Sequence, residues 1–275
     1  MMNLQDKTVF ITGGGGGIGG GMARAFAERG ARIVLADIDQ GFAQEEAAKL
    51  SDSVEVLTLP LDVRSLESWR AAQVEAEARF GTVDVLCNNA GISTGFKPLL
   101  TIAPDEFERV MAINVTGVYN GVLTFAREMV ARGSGHIVNT SSMNGLSPFA
   151  SFAAYSASKF AVLGLSDSLR DELAPAGVGV STLFPGLTRS RMSEGDLGRI
   201  SAGDPARAAA IEANMMDPLW LGRAVVQAVE NDEPYIVTHP EYRDALRARH
   251  DRIIAAFGDP AQPDYRTGVT ATRVD

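Results

Sequence analysis

The sequence predicts a doubly wound α/β domain whose parallel sheet is covered on both faces. Three observations predict it. Strand-like and helix-like runs alternate along the chain, the strands are apolar throughout, and a glycine-rich turn joins the first strand to the first helix. At 275 residues, 45% hydrophobic and 21% charged, the chain can bury one sizeable core, and no repeat or linker divides it.

The elements follow in order. TVFIT at 8–12 is a strand ending in glycines, and Met22 to Arg29 is a helix. RIVLAD at 32–37 is the second strand, 44–50 a helix, and VEVLTLPLD at 54–62 the third strand. An amphipathic helix over 66–80 leads to VDVLCNNAG at 83–91, a strand entering a turn. The spacing predicts one long helix over 104–130, in which Gly117 and Gly121 cost helix propensity and so predict close packing against a neighbour. A strand at 135–142, a helix at 152–174 and a strand at 178–186 complete the βα rhythm. From 190 to 218 the pattern weakens, which reads as a small substrate loop with short helices. A helix at 221–230, a short strand at 234–240 and a helix at 242–257 close a single-domain Rossmann fold of about seven strands over 1–258. Residues 259–275, with Pro260 and Pro263 and no core periodicity, read as a surface tail.

Composition narrows the function. The net charge is -9, with 25 Lys and Arg against 34 Asp and Glu, and no basic patch is interleaved with aromatics. That argues against nucleic acid or an anionic membrane as partner. No run of 18 apolar residues could span a bilayer, and MMNLQDKTVFITGG reads as a strand, not a signal peptide, so a cytoplasmic location is expected. The single cysteine, Cys87, lies in an apolar run and fits a reducing compartment as a buried, inert thiol. His136, His239 and His250 are scattered without ligand spacing, so no metal centre is expected.

The chemistry-bearing residues begin at the glycine turn, Thr12–Gly19. Gly13, Gly17 and Gly19 can take tight backbone shapes and, with Ile18, let a pyrophosphate approach a helix N-terminus. Asp37 ends the second strand, where a carboxylate accepts from the adenosine ribose hydroxyls and repels a 2′-phosphate. No Arg or Lys lies in the glycine turn or at 38, so NAD is the expected cofactor over NADP. Asp62, with Val63 after it, ends the third strand as an adenine-edge contact or a helix cap. Tyr155 and Lys159, four apart, share a helical face, and an ammonium beside a phenol favours the phenolate, which makes Tyr155 a candidate acid/base.

Taken together, Thr12–Gly19 (TGxxxGxG), Asp62, Asn88-Asn89-Ala90-Gly91, Asn114, Ser142, Tyr155–Lys159 (YxxxK) and Pro185-Gly186 resemble the classical short-chain dehydrogenase/reductase family over about residues 4 to 257. The resemblance implies that Tyr155 exchanges a proton with the substrate oxygen, that Lys159 favours the phenolate and binds the nicotinamide ribose, and that Ser142 holds the substrate oxygen. Asn114 would bind a relay water. Asn88, Asn89, Ala90 and Gly91 would line the cofactor cleft, and Pro185 and Gly186 would wall the nicotinamide. The family's threonine five residues past the proline is Ser190 here, with Thr188 nearer, so either hydroxyl could meet the carboxamide. By themselves Ser142 could be only a helix cap and Asn114 only a satisfied helix residue. No GxSxG elbow supports a serine hydrolase.

The function expected is therefore NAD-dependent interconversion of a secondary alcohol and a ketone with Tyr155 as general acid/base. An NADPH-dependent carbonyl reductase and a non-catalytic dinucleotide-binding regulator are the alternatives. Met143, Leu146, Phe149, Phe152, Leu187, Met192, Met215 and Met216 could line an apolar or aromatic pocket, with Arg189 and Arg191 either meeting an anionic group or solvated. The segments 120–125 and 235–240 resemble a bacterial subgroup that includes dehydrogenases of benzylic Cα alcohols in aryl ethers. The family habit implies a homotetramer or homodimer packed through the helices near 104–130 and 152–174, where Gly117, Gly121, Ala157 and Ala161 fit close approach.

Overall fold

The computed structural model describes residues 2–258, and the tail expected over 259–275 lies outside them. Seven strands form one sheet: β1 (Thr8–Thr12), β2 (Arg32–Asp37), β3 (Val56–Pro60), β4 (Val85–Asn88), β5 (Gly135–Thr140), β6 (Val178–Phe184) and β7 (Tyr235–Val237). Their order is β3-β2-β1-β4-β5-β6-β7, and every pair is parallel. The chain works outward from β1 to β3 and then returns to place β4 on the other side of β1. At that switch point the connections diverge and leave a crevice beyond the strand ends Thr12 and Asn88.

Both faces of the sheet are buried, as continuous apolar strands require. On one face Ile11, Leu35 and Leu183 pack against Met22 and Phe26 of α1 (Gly17–Ala27) and Val225 of α9 (Pro218–Asn231). On the other, Phe10 and Leu86 pack against Trp69 of α3 (Leu66–Phe80) and Phe125 of α5 (Gly117–Arg132). The Phe10 and Phe125 rings sit 5.1 Å apart, and the Trp69 indole donates to the Val63 carbonyl at 3.0 Å.

Several elements differ from expectation for packing reasons. Helix α1 starts at Gly17, not Met22, because its glycines are what let α9 approach: a Cβ on Gly21 would overlap the Pro218 carbonyl, and one on Gly222 the Gly21 carbonyl. Helix α2 (Gln40–Ala47) also starts early, since Asp39 Oδ1 accepts from the amides of Gly41 at 3.0 Å and Phe42 at 3.3 Å. The long helix expected over 104–130 is α4 (Pro104–Met111), a π-helical turn (Ala112–Thr116) and then α5. The segment expected as a substrate loop over 190–218 is more helical than expected, as α7 (Arg191–Gly203) and α8 (Pro205–Ala213), the latter capped by Asp204. Helix α6 (Ala153–Leu173) matches its expected span closely.

Gly117 and Gly121 do permit close packing within the chain. A Cβ on Gly117 would lie 2.8 Å from Val63 Cγ2, and one on Gly121 2.8 Å from Trp69 Cη2. Both glycines are buried within the chain, whereas Ala157 is exposed. Within the described residues, 2–239 form one compact unit. From Pro240 a second unit begins, a 3-10 turn followed by α10 (Arg243–Ile254). Among the described residues no helix is long and apolar enough to cross a membrane.

His136 on β5 tests the sheet's interior. The Ser181 hydroxyl donates to the Glu233 carbonyl at 2.6 Å, so His136 Nε2–H donates to Ser181 Oγ at 2.8 Å. Burial outweighs the attraction of Asp232 and pulls the imidazole from 6.5 down to about 4. A depressed folded value means stability that is complete above the unfolded value and lost as pH falls from 6.5 toward 4. Urea titrations should show wild type losing roughly 3 kcal/mol between pH 7 and 4 that His136→Asn does not lose. Equal losses in the two proteins would refute this.

Candidate active site

The site is built at the strand ends around the switch point. Thr12, the last residue of β1, ties two segments together. Its hydroxyl oxygen accepts from the amides of Asn89 at 2.9 Å and Ala90 at 3.0 Å, while the Asn89 side chain donates back to the Thr12 carbonyl at 3.0 Å. These three hydrogen bonds join the glycine turn to the Asn89–Gly91 segment. Gly13 has φ +63, a left-handed shape that favours glycine, and a Cβ there would sit 3.0 Å from Ala90 Cα. Gly16 takes the N-cap of α1, no side chain bonds the cap, and the first turn carries no acid. The positive end of an 11-residue helix thus keeps no side-chain partner, which fits a bound pyrophosphate. Gly17 packs against the Arg189 carbonyl at the start of the substrate loop, Gly19 against the Gly13 carbonyl, and half-buried Ile18 against the core.

Asp37 sits beside this turn. Its Oδ2 accepts from the Gly15 amide at 2.9 Å and its Oδ1 from the Asp39 amide at 3.0 Å. The cation brought to the turn is Arg191, which bonds the Gly15 carbonyl, pairs with Glu45 at 2.7 Å and lies 3.4 Å over the Phe42 ring. These contacts fasten α7 to the glycine turn. Asp62 does not cap α3, a role taken by Ser65. Its carboxylate pairs with Arg64 at 2.7 Å, and that guanidinium holds it below the usual carboxylate range. Val63 is buried, its carbonyl bonded by Trp69 and Asn120.

Asn88 lies apart from the cleft assigned to it. It is buried under α5, with Nδ2 donating to Asn139 Oδ1 at 2.9 Å and Oδ1 against Gly121. Asn89, Ala90 and Gly91 are half-buried beyond the strand end.

The Tyr155–Lys159 pair stands on α6. Lys159 is fully buried; its ammonium donates to the Thr140 carbonyl at the end of β5 at 2.8 Å and lies 5.6 Å from the Tyr155 ring centre. Burial lowers the ammonium from 10.5 to about 8. A Cβ on Gly91 would come within 3.3 Å of Lys159 Nζ and 3.2 Å of Asn114 Oδ1, so these three converge. Asn114 rides on the π turn and is fixed on both sides. Its Oδ1 accepts from the Ile92 amide at 2.8 Å, and its Nδ2 donates to the Ile92 carbonyl and Ser158 Oγ, each at 2.9 Å. Ser142 is the N-cap of the 3-10 turn Met143–Gly145, accepting from the Asn144 amide at 3.1 Å, and also reaches the Pro185 carbonyl at 3.5 Å. The cap reading is therefore true, and the hydroxyl still stands at the end of β5 beside Pro185.

Beyond β6, the buried Thr188 donates to the Gly186 carbonyl at 3.3 Å, whereas Ser190 is engaged with Ser193. Phe96, absent from the expected pocket, packs edge-on against Phe152 with ring centres 4.5 Å apart, and Phe152 lies 6.3 Å from Tyr155. Thr140, Ser141 and Ser158 carry no motif signal of their own, yet they too join the site. Ser141 Oγ donates to the Lys159 carbonyl at 2.8 Å, and Ser158 links Asn114 to the Tyr155 carbonyl. Their neighbours in the motif offered the only signal for them.

A sequence profile described as short chain dehydrogenase matches residues 7–197. A C alpha-dehydrogenase of Sphingobium sp. (strain NBRC 103272 / SYK-6) is 32% identical over 266 residues, covering 92% of this chain and 87% of the relative. A short-chain dehydrogenase structure from Novosphingobium aromaticivorans superimposes with a TM-score of 0.84 at 36% identity, over 96% of this chain and 92% of that one. A short chain dehydrogenase/reductase from Burkholderia phymatum in complex with NAD gives 0.82 at 30% identity, over 95% of this chain and 100% of that one.

The buried ammonium predicts a conflict between stability and site. Its folded value, about 8, lies below 10.5, so the charged lysine opposes folding fully below pH 8 and progressively less up to 10.5. The gap corresponds to roughly 3 kcal/mol, offset by about 1 for the lost bond to Thr140. Lys159→Met should gain about 1–2 kcal/mol at pH 7 by urea unfolding, a gain that shrinks above pH 8. A variant destabilised at pH 7 would contradict this.

Proposed function

This chain belongs to the short-chain dehydrogenase family, and we propose that Tyr155 and Lys159 are the proton-handling half of its hydride-transfer site. It is an NAD(P)-dependent oxidoreductase acting on CH–OH groups. The single observation that carries the site assignment is the Lys159 ammonium buried on the Thr140 carbonyl, 5.6 Å from the Tyr155 ring.

When bound, the dinucleotide supplies the acceptor or donor of hydride. The glycine turn and α1 N-terminus hold its pyrophosphate, Lys159 its nicotinamide ribose, and Pro185 and Gly186 wall its nicotinamide. Asp62 and Val63 flank the adenine. Thr188, next to Gly186 and not bonded into the Ser190–Ser193 turn, meets the carboxamide. In oxidation Tyr155 as phenolate takes the alcohol proton, and the neighbouring ammonium stabilises that anion beforehand. In reduction the phenol gives the proton to the ketone oxygen. Ser142 orients that oxygen, and Asn114, locked to Ile92, holds a relay water toward solvent.

NAD is preferred over NADP. Asp37 stands against the glycine turn where a 2′-phosphate would meet its charge, and Arg191 is already paired with Glu45. The substrate is a secondary alcohol on an aromatic or apolar frame, because Phe96 and Phe152 offer ring edges and faces next to Tyr155. The name of the Sphingobium relative, C alpha-dehydrogenase, agrees with oxidation at an alcohol carbon. The buried Cys87, its thiol pushed up by burial, suits the cytoplasm.

The assembly is a homotetramer. Exposed hydrophobic side chains that partner subunits would cover include Phe107 and Tyr119 on α4 and α5, and Trp220 on α9 with Tyr235 and Val237 on the edge strand β7. Two isologous contacts per protomer would close a four-chain assembly. Light scattering should give four times 29.2 kDa; a monomer would contradict it.

With aryl secondary alcohols as substrates, kcat/KM should be at least ~10-fold higher with NAD+ than with NADP+. Tyr155→Phe should lower kcat by about 10²–10⁴ while NADH affinity stays within about threefold. An NADP+ preference would overturn the Asp37 assignment, and full turnover by Tyr155→Phe would overturn the mechanism.

A further inference from the structure

The peptide joining Pro185 to Gly186 is held at both of its polar atoms. Its carbonyl oxygen accepts from the Met143 amide at 2.9 Å and, at 3.5 Å, from the Ser142 hydroxyl. Its N–H, that of Gly186, donates to His239 Nδ1 at 3.0 Å. One peptide plane is thus clamped between the Ser142 turn on one side and a histidine just past β7 on the other.

The contact dictates the state of the histidine. A backbone N–H can only donate, so Nδ1 is the acceptor, and the Thr238 hydroxyl at 2.8 Å points at the same nitrogen. The ring proton then lies on Nε2, which faces the Leu187 carbonyl at 3.3 Å. His239 is buried, and its ring stacks on the Gly186 backbone so closely that a Cβ on Gly186 would lie 2.5 Å from His239 Cγ. The imidazole therefore grips the Gly186 N–H, the Gly186 Cα and the Leu187 C=O together.

We infer that His239 is a positioning residue for the nicotinamide half of the site, setting the plane of the Pro185–Gly186 peptide and through its carbonyl the placement of Ser142. The inference rests on the assignment of Pro185 and Gly186 as the nicotinamide wall. His239 touches neither substrate nor cofactor in this role. Without the Nδ1 acceptor the buried Gly186 N–H loses its partner, and the peptide can rotate away from both Met143 and Ser142. The adenosine half, built on the glycine turn and Asp37, shares none of these bonds.

The test compares NADH with ADP-ribose, which carries the adenosine and pyrophosphate but no nicotinamide, by calorimetry on the full-length protein. His239→Phe keeps a ring without an acceptor. It should bind NADH about tenfold more weakly, bind ADP-ribose within about twofold of wild type, and lower kcat by about tenfold or more. His239→Asn places an amide oxygen near the Nδ1 position and should recover most of the NADH affinity and kcat. An unchanged ratio of NADH to ADP-ribose affinity in His239→Phe would overturn the inference. So would equal weakening of both ligands, or an Asn variant no better than Phe. If wild type itself binds NADH no tighter than ADP-ribose, the nicotinamide-wall assignment fails first and the inference with it.

Discussion

A lysine ammonium buried at the C-terminal edge of a parallel sheet sets the terms for its surroundings. Such a charge is costly to bury and needs a fixed acceptor. Here the acceptor is the carbonyl of Thr140, the last residue of β5. Three further close contacts follow from it. Ser141 bonds the lysine's own carbonyl, Gly145 permits the 3-10 turn to lie against that carbonyl, and Gly91 leaves room beside the ammonium. The π turn then places Asn114 where its side chain can brace Ile92 next to the same group.

The switch point provides the other half of the site. Strands β2 and β4 flank β1, so the glycine turn after β1 and the Asn89–Gly91 segment after β4 open toward each other. The hydroxyl of Thr12 joins them by two amide bonds. One side of the crevice offers an uncapped helix end and the Asp37 carboxylate; the other offers the buried ammonium, Tyr155 and Ser142. On the proposed reading, a dinucleotide bridging the two sides would bring its anionic centre to the helix and its reactive ring to Tyr155 and Lys159. Arg191, stacked on Phe42 and bonded to the glycine turn, ties the substrate-loop helices to the same frame.

Much of this was legible because apolar strand runs and spaced motifs survive in one dimension. The strand count, the parallel sheet, and the positions of Tyr155, Lys159, Ser142 and Asn114 at its C-terminal edge all follow from such patterns. What stayed hidden depends on contacts between distant residues. The early start of α1 at Gly17 reflects backbone packing of Gly21 on Gly222 and Pro218, which helix propensity penalises and a single sequence does not reveal. The π turn at Ala112–Thr116 follows no local composition signal. Asn88 reads like a cleft residue by adjacency to Asn89, yet strand alternation turns it under α5. Phe96 and His239 enter the site only through the fold, one by meeting Phe152 and the other by reaching Gly186 from the far side of β6.

The central claim is that the buried Lys159 ammonium serves the cofactor and Tyr155 at once while remaining on Thr140. The most direct measurement is a crystal structure of the Tyr155→Phe protein with NAD+ and an aryl secondary alcohol. The account predicts Lys159 Nζ within hydrogen-bond distance of both the nicotinamide ribose and the Thr140 carbonyl, with the alcohol oxygen against Ser142 and the ring edge of residue 155. A nicotinamide ribose bound away from Lys159, or an alcohol seated outside the space between Ser142 and residue 155, would contradict it.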